Sequence, residues 1–178
     1  MNQATKENQR VRLTKRMLKD ALIELLETTT LQSVTITEIC ARAEINRTTF
    51  YKYYSNECEL YQDIENDFLT LLRENLQSTI EATLENLLQA IRKQSKMAKV
   101  IINNSSEVDF SRRIFSLPEI TNHTIFINLG SVPHRELVLF FIFSGSYAVI
   151  KRWANTSFKQ SPKELAALLQ AMIEKIMQ

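Results

Sequence analysis

The segment from residue 47 to residue 53 carries side chains whose chemistry suits a DNA groove. Its candidate contact residues are Arg47, Thr48, Thr49, Tyr51, Lys52 and Tyr53. Arginine can donate to both acceptors on the major-groove edge of guanine, and threonine can contact a thymine methyl group or a phosphate. Tyrosine and lysine can hold the phosphate backbone. The alternative is a packed aromatic cluster on a short connecting helix, because aromatic residues at helical spacing are more often core than contact.

Two short helices are predicted around this segment, and they would give it a fixed position. Thr35 and Glu38 have the spacing of a capping box, in which the threonine hydroxyl accepts from the Glu38 amide and the carboxylate accepts from the Thr35 amide. The first helix therefore begins at Thr35 and ends near Glu44. Asn46 is an N-cap residue for a second helix over residues 47–53. Two short helices joined by about three residues form a helix-turn-helix, here over residues 35–53.

An amphipathic helix is predicted ahead of the helix-turn-helix, over residues 12–27. Its apolar face repeats at helical spacing and comprises Leu13, Met17, Leu18, Ala21, Leu22, Leu25 and Leu26. Phe50 and Tyr54 lie four residues apart, so they share one face and are expected to anchor the second short helix on its neighbours. The sequence therefore predicts a head of three packed helices.

Further helices and no strands are predicted after the head. Apolar periodicity indicates helices over residues 57 to about 103, with a break near Ser78 or Thr83, and over residues 109–115, 135–153 and 162–176. Residues 103–106 and 118–133 have loop-like composition. With only two glycines and three prolines, the chain has too few turn residues for a β-sandwich or a barrel. The expected fold class is all-α.

Composition and charge narrow the class of protein. Hydrophobic residues make up 44% of the chain and charged residues 24%, which favours a globular protein over a disordered one. Residues 1–54 carry nine Lys or Arg against six Asp or Glu, whereas residues 55–178 carry thirteen against fourteen. The basic excess in the head fits a DNA-binding surface, and a solvated helix face would explain it almost as well.

Neither a membrane span nor a targeting segment is expected. The uncharged apolar run over residues 137–150 is too short to cross a bilayer, and the polar start of the chain lacks the apolar region of a signal peptide. These features predict a cytoplasmic protein.

The sequence carries no pattern for catalysis or metal binding. Cys40 and Cys58 have no His or Cys neighbours at metal-ligand spacing, and His123 and His134 lie in loop-like sequence, where solvated side chains are expected. No Gly-rich phosphate loop, nucleophile elbow or HExxH motif occurs. We therefore expect no enzyme activity, no cofactor and no metal.

The predicted head resembles the DNA-binding region of the TetR family of transcription regulators. The resemblance rests on Thr35-Ile36-Thr37-Glu38-Ile39-Cys40, on the turn Ala43-Glu44-Ile45-Asn46, and on Thr48-Thr49-Phe50-Tyr51-Lys52-Tyr53-Tyr54. It covers residues 12–61. It implies that the second short helix is the recognition helix of the family, that Asn46 caps it, and that Thr35 contacts a phosphate. The residues implied to face the major groove and its flanking phosphates are Arg47, Thr48, Thr49, Tyr51 and Lys52.

Two positions depart from the TetR signature, Glu44 and Glu57. Glu44 replaces the glycine of the turn, so it must adopt a positive φ at some cost or use a different turn. Glu57 stands where the family favours a lysine that meets DNA phosphate, and a carboxylate there would be repulsive. Asn56 and Glu59 are predicted to form another capping box at this point. Tyr54 stands where the family usually has phenylalanine, and is expected to pack inward.

The C-terminal part resembles TetR regulators of the dihydroxyacetone-kinase activator type, through Ile150-Lys151-Arg152-Trp153 and Ser161-Pro162-Lys163-Glu164-Leu165. The resemblance implies a DNA-binding domain over residues 1–55 and a helical dimerisation and effector-binding domain over residues 56–178. The last two long helices would pair into a four-helix interface of a homodimer. The recognition helices of that dimer would then lie roughly 34 to 36 Å apart under the general half-site rule.

The resemblance also implies a double-stranded DNA operator and control by a small-molecule effector or a protein co-regulator. An effector pocket between the central helices could be lined by Phe68, Met97, Ile101, Phe115, Phe126 and Tyr147, and ordinary core is the alternative for these residues. Repression is expected more than activation. The competing function is a helical protein-interaction module with a weakened DNA-binding head, which Glu44, Glu57 and the small basic excess favour.

Overall fold

The computed structural model describes residues 3–76, 83–115 and 134–176. Within these ranges the chain forms helices and turns, with no strand, which confirms the all-α prediction. The helices are α1 (Gln3–Leu25), α2 (Ile36–Ala43), α3 (Arg47–Tyr51), α4 (Glu57–Leu76), α5 (Thr83–Lys93), α6 (Ser95–Asn104), α7 (Glu107–Phe115), α8 (Arg135–Asn155) and α9 (Pro162–Ile176). A short 3-10 helix, Leu31–Ser33, lies between α1 and α2.

The chain divides into two compact units, Met1–Asp67 and Phe68–Gln178. We call them the head and the C-terminal unit. The division between the two compact units falls inside α4. The first half of α4 belongs to the head because Leu60 and Ile64 are fully buried.

The head is built on α1, which packs against α2, and α2 in turn packs against α3. Its fully buried side chains are Leu18, Leu22, Ile39, Phe50, Leu60 and Ile64. These residues come from all four helices, so none of the helices buries its apolar face alone.

The apolar face of α1 is shorter than the sequence predicted. The helix begins at Gln3 instead of residue 12 and ends at Leu25, but its buried part begins only at Leu18. Leu13 and Met17, which belong to the predicted apolar face, are 59% and 37% exposed. The helical repeat continues along α1 beyond the surface on which the helix packs, and periodicity does not show where that surface ends.

In the C-terminal unit, α8 packs against α6 and α7, and α5 packs against α6 and α9. An aromatic series lies at its centre. The rings of Phe68 and Phe110 stack with their centroids 6.3 Å apart, and Tyr147 meets Phe110 edge-on at 6.3 Å. The Tyr147 hydroxyl donates to the backbone carbonyl of Ile102 at 3.1 Å. This bond satisfies the polar end of a side chain that is only 2% exposed.

The turn between α8 and α9 is locked by a tryptophan. Trp153 Nε1 donates to the Gln160 carbonyl at 2.9 Å, and the Phe158 ring packs edge-on against the indole at 4.7 Å. Ser161 and Glu164 then form a capping box at the start of α9. This turn requires a positive φ of 57° at both Ser157 and Phe158.

The remaining helix predictions agree with the structure to within a few residues, with one omission. A break at Gln94 separates α5 from α6, and this break was not predicted because no Gly or Pro marks it. The expected break near Ser78 or Thr83 falls largely on residues 77–82, and the loop-like stretch on residues 118–133; both ranges lie outside the described residues.

Helix α8 is longer than the apolar run that predicted it. At 21 residues it is long and apolar enough, by length and composition alone, to cross a membrane. The core helix of a globular protein meets the same criterion, and 33% of its most apolar window is buried inside the protein. Length and composition therefore give only weak support for a span.

Candidate nucleic-acid interface

Helix α2 begins at a complete capping box. The Glu38 amide donates to Thr35 Oγ1 at 3.3 Å, and the Thr35 amide donates to Glu38 Oε2 at 2.8 Å. The Thr35 hydroxyl also donates to the same carboxylate at 2.7 Å. These hydrogen bonds favour the charged form and lower the pKa of Glu38. The capping prediction is therefore confirmed, and it leaves the exposed Thr35 at the amino end of α2.

The turn between α2 and α3 uses Glu44 in the conformation that the family reserves for glycine. Glu44 has φ 55° and ψ 37°, which is left-handed. Its amide donates to the Ala41 carbonyl at 3.3 Å, and the Ile45 amide donates to the Cys40 carbonyl at 3.0 Å. These two bonds are the Schellman motif that commonly ends a helix. Glu44 therefore adopts the positive φ that the sequence analysis gave as one of two possibilities, at some cost in backbone strain.

The recognition helix α3 is held at both ends. Asn46 Oδ1 accepts from the Thr49 amide at 2.7 Å, which confirms the predicted N-cap. Phe50 and Tyr54 are buried, with 0% and 3% of their surface exposed, as expected of the two anchors. The helix ends at Tyr51 and not at Tyr53. Residues 52–54 continue as a turn whose amides donate to the carbonyls of Thr48 and Phe50.

The residues predicted to bind DNA divide between exposed and half-buried positions. Thr35, Asn46, Arg47, Thr48, Tyr51 and Lys52 are exposed, and Thr49 and Tyr53 are half-buried. Arg47 Nη2 donates to the Tyr51 hydroxyl at 3.4 Å and its guanidinium lies 6.0 Å from that ring. Lys52 Nζ lies 5.8 Å from the Tyr53 ring. Each cation is thus paired with an aromatic neighbour, which limits the conformations that it can adopt.

The head contains a hydrogen-bonded network that was not predicted from the sequence. The Tyr54 hydroxyl donates to Asp63 Oδ2 at 2.7 Å, and Lys19 Nζ lies 2.9 Å from the same oxygen and 2.6 Å from Asp67 Oδ2. Lys15 Nζ lies 3.9 Å from Asp63 Oδ2 and 5.1 Å from the centroid of the Tyr54 ring. We call these five residues the Asp63 network. A sequence signal exists, since Lys15 and Lys19, and Asp63 and Asp67, are each spaced by four residues.

Burial and charge act on the two central groups of the Asp63 network in different ways. Burial raises the pKa of Tyr54, and the adjacent Asp63 carboxylate raises it further. Burial alone would raise the pKa of Asp63, but hydrogen bonds from Tyr54 and Lys19 and the charges of Lys19 and Lys15 lower it overall. The network therefore keeps the phenol protonated and the carboxylate ionised.

The start of α4 is acidic. Asn56 Oδ1 accepts from the Glu59 amide at 2.8 Å, but the Glu59 carboxylate reaches back to the Ser55 amide at 2.7 Å rather than to that of Asn56. The bond from the Glu59 amide to Asn56 was predicted correctly, but the Glu59 carboxylate accepts from the amide one residue earlier than the capping box requires. Glu57 is the first residue of α4 and is half-buried. Acidic residues in the first turn are favourable to the helix dipole, which gives Glu57 a structural role apart from DNA.

The residues proposed to line an effector pocket are mostly core within the described part of the chain. Phe68, Ile101 and Tyr147 are buried, and Met97 is half-buried. Phe110 contacts the rings of both Phe68 and Tyr147, and it was not among the residues predicted to line the pocket. The side chain of Phe115 and the whole of Phe126 lie outside the described residues.

The other titratable candidates are scattered. His134 is exposed and directly precedes α8, whereas His123 lies outside the described residues. Cys40 is buried, and burial raises the pKa of its thiol, while Cys58 is exposed. In the described ranges no group of three or more His, Cys, Asp or Glu side chains could hold a metal ion.

Comparison with known families finds a match over the C-terminal half of the chain. The model of a TetR-type family described as "Transcriptional regulator C-terminal region" matches residues 78–175. The matched stretch covers more than half of the chain and includes the region from α5 to α9.

Two curated relatives are HTH-type regulators by name. The chain is 21% identical over 169 residues to the uncharacterized HTH-type transcriptional regulator YxbF of Bacillus subtilis, covering 89% of this chain and 44% of that protein. It is 33% identical over 64 residues to the HTH-type dhaKLM operon transcriptional activator DhaS of Lactococcus lactis, covering 35% of this chain and 34% of that protein. The chain thus spans less than half the length of either relative.

A solved structure has the same fold over nearly the whole chain. It is a TetR transcriptional regulator from Streptococcus agalactiae, 20% identical in sequence, with a TM-score of 0.72. The similarity covers 96% of this chain and 98% of that one. At this level of identity the likeness establishes the fold.

Proposed function

Since the chain belongs to the TetR family of transcriptional regulators, we propose that it is a homodimeric DNA-binding protein that recognises a specific operator through α3. One observation carries the proposal. Phe50 and Tyr54 anchor the helix in the head, and this leaves Arg47, Thr48 and Tyr51 exposed. A five-residue helix with this many exposed donors has little use in a core, but it suits a groove.

Each exposed residue has a role that its chemistry supports. Arg47 would donate to guanine in the major groove, and Thr48, Thr49 and Tyr51 would contact bases or phosphates beside it. Lys52, Tyr53 and Thr35 would hold the phosphate backbone, with Asn46 capping the helix. The cation–aromatic pairing of Arg47 with Tyr51 supports base reading, because it reduces the conformational entropy that Arg47 would lose on binding.

A homodimer is supported by exposed apolar side chains on the last two helices. On α8, Leu137, Phe140 and Phe141 are 68%, 55% and 63% exposed. On α9 the exposed apolar residues are Leu168, Met172 and Ile176. Large apolar groups exposed on neighbouring turns of a helix are typical of interaction sites. We propose that α8 and α9 pair with their copies in a two-fold dimer.

Repression is the proposed outcome of DNA binding, because a bound dimer can exclude the polymerase without any further contact. The relative DhaS is an activator by name, so activation is the competing outcome. A reporter gene controlled by the isolated operator distinguishes repression from activation. Deletion of the regulator should raise reporter expression if the protein is a repressor and lower it if the protein is an activator. We place this activity in the cytoplasm, with no role at a membrane.

Control by a small molecule or a protein partner is proposed through residues 60–178. Binding there would tilt α4 and so change the separation of the two heads in the dimer. Small-angle scattering of free and effector-bound dimers tests this, and identical head separations would exclude the tilt.

Binding to genomic DNA is the decisive experiment for the proposed function. Purified protein should retain specific fragments from a genomic pool, and its affinity should fall steeply as salt rises, by about 0.9 logarithmic units per phosphate contact for each tenfold rise in salt. Arg47→Ala should relax the preference for one base pair, at a cost of about 1–3 kcal/mol. Arg92→Ala is a matched control, because Arg92 is exposed on α5 and has no ion pair within the described ranges.

A protein-interaction module is the second candidate, and the acidic Glu44 and Glu57 favour it. If the purified protein showed no salt-sensitive binding to duplex DNA, that result would support the protein-interaction module. Sequence-selective binding that Arg47→Ala weakens, and Arg92→Ala leaves unchanged, would exclude it.

A further inference from the structure

The Asp63 network joins three elements of the head at one oxygen atom. Asp63 Oδ2 on α4 accepts from the Tyr54 hydroxyl at 2.7 Å and pairs with Lys19 of α1 at 2.9 Å. Tyr54 lies three residues beyond the end of the recognition helix, so the link from α4 to that helix is short. The TetR signature that the head resembles usually has phenylalanine at this position, which lacks the hydroxyl.

The Tyr54 hydroxyl supplies a directional contact that the aromatic ring alone does not. The Tyr54 ring lies 5.9 Å from the ring of Phe50, and this apolar contact would survive in phenylalanine. Apolar packing is non-directional, whereas a hydrogen bond to a carboxylate fixes both distance and angle. With only five residues, α3 has too few internal hydrogen bonds to hold its own orientation. Its position therefore depends on the buried ring of Phe50 and on what holds the flanking residues Asn46 and Tyr54.

We infer that Asp63 is a positioning residue for DNA binding, which acts through the Tyr54 hydroxyl to hold the carboxyl end of the recognition helix against α4. The inference rests on the proposed function, since it assigns a role within the same interface. Asp63 itself contacts no base or phosphate in this scheme. Removing it should weaken operator binding because the exposed donors of α3 are then presented at variable angles.

Tyr54→Phe is the most direct test, because it deletes one oxygen and keeps the ring. We expect its affinity for the retained operator fragment to fall by about fivefold, the effect of one lost hydrogen bond. Asp63→Ala should lower the affinity at least as much, and the double variant should bind no more weakly than Asp63→Ala alone. Asp63→Asn keeps an oxygen acceptor for the phenol and should bind more tightly than Asp63→Ala.

Asp67→Asn is the matched control. Asp67 pairs with the same lysine at 2.6 Å on the same helix, but the Tyr54 hydroxyl donates its hydrogen bond to Asp63 and not to Asp67. The affinity of Asp67→Asn for the operator fragment should remain within about twofold of that of the unmodified protein. Thermal unfolding of all variants, recorded in parallel, shows whether a loss of affinity follows a loss of folding.

Hydrogen exchange gives a readout that does not depend on DNA. The amides of Lys52, Tyr53 and Tyr54 donate to carbonyls of α3, so their exchange reports the opening of this segment. Exchange should be about fivefold faster in Tyr54→Phe than in the unmodified protein or in Asp67→Asn. Unchanged exchange and unchanged affinity in Tyr54→Phe, or effects of Tyr54→Phe and Asp63→Ala that simply multiply, would overturn the inference. If the unmodified protein bound no duplex, the proposed function would fail, and exchange alone would decide whether Asp63 holds the helix.

Discussion

Glu44→Gly is expected to stabilise the head by about 0.5–1 kcal/mol. Glu44 has φ 55° and ψ 37°, and the left-handed conformation costs a residue with a Cβ atom about 1–2 kcal/mol. Glycine removes that cost but loses more entropy on folding, which offsets about 0.5–1 kcal/mol of the gain. Both hydrogen bonds of the turn use backbone atoms, so the substitution leaves them in place.

Glu44→Ala is the control that separates backbone strain from charge. Alanine removes the carboxylate but keeps the Cβ atom, so its stability should lie within about 0.5 kcal/mol of the unmodified protein. Thermal unfolding at fixed protein concentration should place the midpoint of the glycine variant about 1–4 °C higher. If alanine stabilised the protein as much as glycine did, the gain would come from the lost charge and the strain argument would be refuted.

Three other outcomes follow from the same residues. Glu57→Lys should tighten duplex binding at low salt and steepen its salt dependence by about one phosphate contact, measured by fluorescence anisotropy; an unchanged slope would place this position away from the DNA backbone. Phe141→Asp should convert the proposed dimer to a monomer in analytical ultracentrifugation, because the charge would be buried without a partner in the proposed interface, whereas Lys159→Asp, at an exposed residue of the turn after α8, should leave the oligomeric state unchanged. The pKa of Asp63 is lowered in the folded protein, so its carboxylate contributes fully to stability above pH 3.8, the ordinary pKa, and this contribution is lost as the pH falls below that value. The stability of Asp63→Asn should therefore fall less steeply with decreasing pH than that of the unmodified protein. Identical pH profiles would contradict the ion pairing.

Features set by residues close in sequence were predictable. The capping box of Thr35 and Glu38 and the N-cap of Asn46 each depend on side chains within three residues of the backbone that they bind. The inward orientation of Phe50 and Tyr54 follows from their spacing of four residues. Even so, the return bond of Glu59 goes to Ser55 rather than to Asn56, because a flexible carboxylate can reach either amide.

Features set by distant parts of the chain were not predictable in the same way. Leu13 and Met17 fit the apolar repeat of α1 as well as Leu18 does, but only the position of the other helices decides which of them is covered. The bond between Tyr54 and Asp63 joins residues on separate elements. Their charges and spacing were visible in the sequence, whereas the angle that brings α1 and α4 together was not.

Helix α4 limits how a signal can reach the head. It supplies Leu60 and Ile64 to the core of the head and Phe68 and Leu72 to that of the C-terminal unit, all fully buried. Its residues 57–76 include no glycine or proline, so a sharp kink has no ready site.

Local opening of the head would expose side chains such as Leu60 and Ile64, and each costs about 1.5–3 kcal/mol to move from the core into water. An effector usually supplies a coupling energy of only about 1–3 kcal/mol. A displacement of α4 should therefore carry the head along as a body and leave its core intact. Effector binding should then change the distance between heads in scattering while amide exchange at Leu22, Ile39 and Phe50 stays constant. Faster exchange at those core positions would show that the signal instead works by loosening the head.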